Sequence, residues 1–296
     1  MNGSSSPGAV VCGVDGSRWA EDAALWAAAE AVRRRAELHL VHAMPPPPVA
    51  VVGGPPGRWV AGSLRDRAER ILTGTATRCR EEHPGLTVRT RTDTAPAAQV
   101  LLRHGTEAGV LVVGSRGLGG HTGLVVGSVG VALAAAAPCP VVVVRASDGA
   151  PPTTGPVLLG LDPSACGADI GFAVTAALAR RCPLVVVHAW YTELDGDPLT
   201  EFLDAFGDEP HRTATARVEQ TLASWRRAHA DLDIRTEVRH ARPVPALLEV
   251  ATRHGAQLLV LGRAHRGPVT GHLLSSTIHG ALHGAPCPVA VVPLER

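Results

Sequence analysis

The chain has 296 residues, 28 basic and 27 acidic side chains, a formal charge of +1 and 45% hydrophobic residues. Such a balance gives no electrostatic reason for nucleic acid or an anionic membrane as the main partner. Every residue in the basic count is arginine, which excludes a P-loop lysine, a Schiff-base lysine and a lysyl-adenylate intermediate.

In chain order, MNGSSSPG has no basic region followed by an apolar one, so no secretory signal is expected there. AVVCGVD is a short apolar run, predicted as a strand buried on both faces. WAEDAALWAAAEAVRRRA places Trp19, Ala23, Trp26 and Ala27 at helical spacing, with charge on the opposite side. ELHLVHAM reads as a second strand, and MPPPPVAVVGGPPG (44–57) as a long loop that proline keeps irregular. SLRDRAERILTGTATRCREEH is predicted as an amphipathic helix and LTVRTRTD, which alternates, as a third strand. A short helix with Pro96 in its first turn follows, then the strand AGVLVVGS, the helix VVGSVGVALAAAA and the strand PVVVVRA. Pro138 and Pro140 interrupt the longest apolar stretch, which is too short to span a bilayer.

The same pattern then recurs. VVCGVDGS (10–17) matches VLLGLDPS (157–164), LHLVHAM (38–44) matches LVVVHAW (184–190), and VLVVGSRG matches LLVLGRAH. APCPVVVV (137–144) matches APCPVAVV (285–292). The near-constant offset, about 147 residues, means one domain duplicated, over 1–146 and 156–296, with ASDGAPPTTGP (146–156) as linker. Strands alternating with helices predict an α/β fold of two tandem doubly wound parallel sheets. With the first strand central, the strand order reverses between strands one and four, bringing the Asp15 turn and the Gly114 loop to one crevice. The six cysteines form no C-x-x-C pair and are expected to be reduced and buried, as in a cytoplasmic protein.

The glycine-rich stretch VVGSRGLGGHTGLVVGSVG (112–130) fits neither the Walker A pattern, which needs lysine, nor the Rossmann fingerprint, which belongs after strand one. It reads instead as Gly114-x-x-Gly117, nine residues, then Gly127-Ser128. Two glycines let backbone approach a ligand. Gly127 and Ser128 offer N–H groups and a hydroxyl at a helix start, where the dipole favours an anion. Arg116 adds positive charge for phosphate oxygens.

At these residues the chain resembles the ATP-binding branch of the universal stress protein family, whose loop is G-2x-G-9x-G-[ST]. The match extends to VVCGVDGS, LHLVHA, LLRHGTEAGVLVVGSRG and APCPVVVV, and covers nearly all of both copies. The resemblance implies five-stranded sheets of order 3-2-1-4-5, Rossmann-like and of the adenine nucleotide alpha hydrolase type. It implies ATP, with or without Mg2+, held by Gly13, Asp15, Val41, Gly114, Ser115, Arg116, Gly117, Gly127, Ser128 and Val129. Asp15 would contact the nucleoside, backbone near Val41 would border adenine, and the loop with Ser128 would hold phosphates. A cytoplasmic homodimer with a regulatory protein partner, and no membrane span or nucleic acid, completes what it implies. Thr94 departs from the family pattern, which often has glycine there.

The second copy keeps Gly160, Asp162, Gly262 and Ser276, with Arg263 after Gly262. It has His265 for Gly117 and Ser275 for Gly127. These seven residues are the second copy's candidate nucleotide contacts; a His265 ring pointing into the crevice is expected to exclude phosphate, whereas one turned outward would offer its N–H to it, and one tight ATP per chain is expected. Other readings stay beside these. Asp15 also suits a plain turn. His42 and His188 fit hydrogen bonding at strand ends better than catalysis. His265, His272, His279 and His283 suggest a metal, but no H-E-x-x-H is formed and Gly280 weakens the helix. Trp19, Trp26 and Trp225 suit core or interface packing. In function, a nucleotide-sensing regulator in stress, dormancy or growth control leads. A slow ATPase or nucleotidyl-transfer enzyme, and a scaffold with vestigial pockets, are the alternatives.

Overall fold

In a computed structural model, the structure describes residues 8–44, 55–117, 126–145, 152–163, 167–191, 209–263 and 274–294, with backbone alone over 55–61. The chain divides into two compact units between Pro151 and Pro152.

The first unit runs β1 (Ala9–Gly13), α1 (Arg18–Arg34), β2 (Leu38–Met44), α2 (Pro55–Glu82), β3 (Val88–Thr94), α3 (Ala97–His104), β4 (Ala108–Gly114), α4 (Ser128–Ala136) and β5 (Val141–Val144). Its strands are parallel in the order β3-β2-β1-β4-β5. The central strands are uniformly apolar because helices cover both faces: Val10, Cys12, Leu40, Val110, Leu111 and Val112 are fully buried. β3, at the edge, is exposed over most of its length and carries the polar sequence VRTRTDT.

α1 begins where the Ser17 hydroxyl accepts the Ala20 N–H at 3.2 Å, and ends at Arg35 in a left-handed conformation. One face of alanines, Ala20 to Ala31, lies on the sheet. α2 starts earlier than expected: the loop predicted to run to residue 57 gives way to helix at Pro55. Proline is compatible with a first turn, where its missing N–H has no intrahelical partner. Within α2, Gly74 is exposed, and a Cβ there would meet nothing within 4 Å. Gly74→Ala is therefore expected to stabilise the first unit by about 0.5–1 kcal/mol, read as a rise in its thermal unfolding midpoint.

The second unit repeats the plan: β6 (Val157–Gly160), α5 (Ala168–Arg180), β7 (Leu184–Trp190), α6 (Glu209–Ala228), β8 (Ile234–His240), α7 (Pro243–Arg253), β9 (Leu258–Arg263), α8 (Ser276–Gly284) and β10 (Val289–Pro293). The order β8-β7-β6-β9-β10 reproduces that of the first unit. The end of the expected linker is part of this unit. Gly155 accepts a hydrogen bond from the Gln257 side chain, and the Gln257 N–H donates to the Pro156 carbonyl.

Cys12, Cys79, Cys139 and Cys287 are buried and unpaired by disulfide, and burial pushes their thiols up, to about 11 for Cys79 and Cys139 and about 12 for Cys287. Thiols held protonated in this way are poor nucleophiles. No helix among the described residues is long and apolar enough to cross a membrane.

Candidate functional site

β1 pairs with β2 on one side and β4 on the other, so the chain turns away from the sheet in opposite directions after β1 and β4. The gap between those turns is a crevice of about 580 Å3. Its floor is Gly13 and Val14 from β1's end, Val41 to Met44 from β2, and Val113 and Gly114 from β4. Arg116, Gly117 and residues 127–130 form one wall, while Leu64 and Arg67 of α2 and Ala97 and Leu101 of α3 form others.

The β1 turn is locked by its own backbone. The Val14 N–H donates to the Val41 carbonyl at 2.9 Å, and His42 Nδ1 donates to the Val14 carbonyl at 2.7 Å. Asp15 Oδ1 accepts the Ser17 N–H at 2.9 Å, and Gly16 takes φ +85. The Asp15 carboxylate thus stands at the crevice, directed by an Asp-Gly-Ser turn. Across from it, a Cβ on Gly117 would come within 2.6 Å of Asp15 Oδ2, so only glycine fits there without displacing the acid.

The other side is built for negative charge. α4 begins at Gly127, whose N–H donates to the Ser115 carbonyl at 2.7 Å, and no side chain caps the helix. Its first-turn N–H groups have no acceptor within the helix and face the crevice at Ser128, Val129 and Gly130. Arg116 lies over the Trp19 ring at 5.8 Å. Burial lowers the Arg145 pKa, and the nearby Arg116 charge lowers it further.

Of the residues named from sequence, Gly13, Asp15, Val41, Gly114, Arg116, Gly117, Gly127, Ser128 and Val129 all line this crevice. Ser115 does not: it is buried, its N–H donating to the Val144 carbonyl and its carbonyl accepting the Gly127 N–H. Leu64 and Arg67 line the crevice unannounced by any motif, and His42, Met44 and Leu101, inside matched stretches, are not among the nucleotide contacts expected from sequence. Arg145 carries a weak sequence signal, being an arginine at the carboxyl end of strand five.

In the second unit His188 Nδ1 donates to the Leu161 carbonyl at 3.0 Å, as His42 does in the first. Gly160, Asp162, Gly262, Arg263, Ser275 and Ser276 lie at strand ends or helix starts equivalent to those of the first crevice. His265 and His272 lie outside the described residues. The His279 and His283 rings lie 4.5 Å apart, tilted by 39°, and no group of three or more metal-ligating side chains occurs among the described residues. Trp19, Trp26 and Trp225 are half-buried rather than in the core.

The profile of the universal stress protein family matches twice, over residues 8–145 and 154–293. The chain belongs to the universal stress protein family. A universal stress protein of Mycolicibacterium smegmatis is 32% identical over 96% of both chains, and one of Mycobacterium bovis is 30% identical over 95% of this chain and 96% of its own. The crystal structure of a universal stress protein from Archaeoglobus fulgidus superposes with a TM-score of 0.71 at 14% identity, covering 98% of this chain and 99% of that one. The tandem α/β fold is that of the family.

Proposed function

We propose that the first unit binds ATP in the crevice between β1 and β4, and that occupancy sets conformation or partner choice in a regulatory protein of stress response, dormancy or growth control. The observation that carries the reading is convergence. The uncapped start of α4 and Arg116 lie on the anion side, while Asp15 and the end of β2 border a partly apolar floor of nucleoside size. Mg2+, where it accompanies ATP, would rest on phosphate oxygens and water, with Asp15 the carboxylate of the lining. A cytoplasmic homodimer, implied by the resemblance, is part of the proposal, and sedimentation measures its mass.

The reading is of a sensor and not of an enzyme. Rapid phosphoryl transfer uses a metal-holding acid and a second group that positions the nucleophile; among the described lining residues Asp15 is the one carboxylate, and His42 is engaged by the Val14 carbonyl. Turnover is expected to lie orders of magnitude below the roughly 1–1000 per second of ordinary enzymes. Calorimetry should show ATP binding that weakens about tenfold or more in Asp15→Ala, a loss of one charge-assisted contact. Unchanged affinity would reject the site. Phosphate release near one per second, abolished by the same variant, would make the protein an ATPase.

A further inference from the structure

Among the arginines of α2, Arg67 is the one that lines the first unit's crevice. Arg65 has Glu69 four residues on and Arg70 has Asp66 four residues back, the spacing at which helical side chains meet. Arg78 bridges to Glu21, and Arg80 donates to the Val88 carbonyl at 2.9 Å. Arg67 has Ser63, Leu64, Arg70 and Ile71 at those spacings, none of them acidic. It makes no ion pair or hydrogen bond among the described residues, and its side chain is exposed.

The next turn of the helix fixes where Arg67 stands. A Cβ on Gly16 would lie 3.0 Å from Ile71 Cδ1, so Ile71 packs on the turn that carries Asp15. Arg67 lies one turn nearer the helix start on the same face, above that turn and over the end of β2. The second unit uses the same position. Arg226 of α6 donates to the Ile234 carbonyl as Arg80 does to that of Val88, and β8 stands to β7 in the register of β3 to β2. Counted back by one interval from Arg80 and from Arg226, Arg67 corresponds to Thr213, which lines that unit's cavity of about 570 Å3. The position faces a crevice in both units, and in the first it carries a cation.

Two cations thus border the first crevice from different sides. Arg116 comes from the loop after β4, beside the start of α4, and Arg67 from the helix after β2. β2 and β4 flank β1, so these sides are two strand spacings apart, roughly 10 Å. The Asp15 carboxylate between them is directed at Gly117, on the Arg116 side. A phosphate chain lying at α4 leaves Arg67 without a counter-charge. In nucleotide-binding α/β folds an acid beside the ribose takes up a hydroxyl, whereas an arginine there accommodates a ribose phosphate.

We propose that the first unit's crevice selects nucleotides phosphorylated on the ribose as well as at the 5′ position, with Arg67 holding the ribose phosphate. The proposal rests on the nucleotide reading of this crevice and names the ligand class within it. AMP, adenosine 2′,5′-bisphosphate and adenosine 3′,5′-bisphosphate are the probes, titrated into the full chain by calorimetry. One bisphosphate should bind about tenfold or more tightly than AMP, as a charge-assisted hydrogen bond in part-exposed surroundings allows, and its identity tells which hydroxyl carries the phosphate. Because Arg67 is exposed, the preference should shrink as salt is raised. Arg67→Thr, which installs the second unit's own residue, should bring the ratio of the two affinities to about one, and Arg67→Lys should keep part of it. Bisphosphates that bind no tighter than AMP, or a preference that survives Arg67→Thr, would overturn the proposal. Failure of the crevice reading looks different: binding of all three ligands is then indifferent to Asp15→Ala, and the proposal falls with it.

Discussion

Gly117→Ala is expected to lower ATP affinity by roughly 1–3 kcal/mol, or about 5- to 150-fold, while leaving the fold intact. The added methyl would stand 2.6 Å from Asp15 Oδ2, against about 3.5 Å for an ordinary contact. One of the two must move. β4 anchors the loop up to Gly114, so the Asp15 carboxylate, the end of a side chain, is the group that shifts, against the hold of the Ser17 N–H on its Oδ1. Moving the acid breaks the turn that aims it, and moving the loop withdraws Arg116 and Gly117 from the anion side. Either way, one methyl group disturbs the crevice. Because Gly117 borders the crevice rather than the core, the thermal midpoint should stay close to that of the unmodified protein. Affinity unchanged in titration calorimetry would mean that nucleotide does not bind between Asp15 and this loop.

How far the sequence leads depends on which feature is local. Alternation of apolar runs with amphipathic segments gives the element order directly, because a strand covered on both faces has to be apolar along its length. Duplication gives the rest of the frame, since VHA and APCPV recur at matching strand ends. The glycine loop and Asp15 are legible for the same reason: each is a short segment whose residue types have few structural uses. Arg67 and Leu64 are not legible, because an exposed face of α2 with arginines looks like any solvated helix until the fold turns it towards β2. Ser115 misleads in the opposite sense. It sits inside the motif, yet the strand's alternation points it away from the crevice.

Gly114→Ala should have the largest effect on stability, lowering that of the first unit by roughly 2–3 kcal/mol and its unfolding midpoint by about 5–10 °C. From sequence, this glycine reads as room for a ligand. In the structure its missing side chain also faces α1: a Cβ would lie 2.5 Å from the Trp19 carbonyl oxygen, 2.7 Å from its carbon and 3.0 Å from the Ala20 nitrogen. All three are backbone atoms in the first turn of a helix, so no rotamer change can make space. α1 would have to lift from β4, and its row of buried alanines would lose contact with the sheet. The same shift would pull on Ser17, whose hydroxyl caps the helix, and on Asp15 beside it. Loss of stability and loss of ATP affinity should therefore appear together in this variant. Calorimetric unfolding of Gly114→Ala beside Gly74→Ala makes the comparison within one unit. The same chemical change is expected to lower the midpoint at the strand end and raise it in the exposed helix. A midpoint for Gly114→Ala equal to that of the unmodified protein would mean that α1 and β4 are not in close backbone contact in solution.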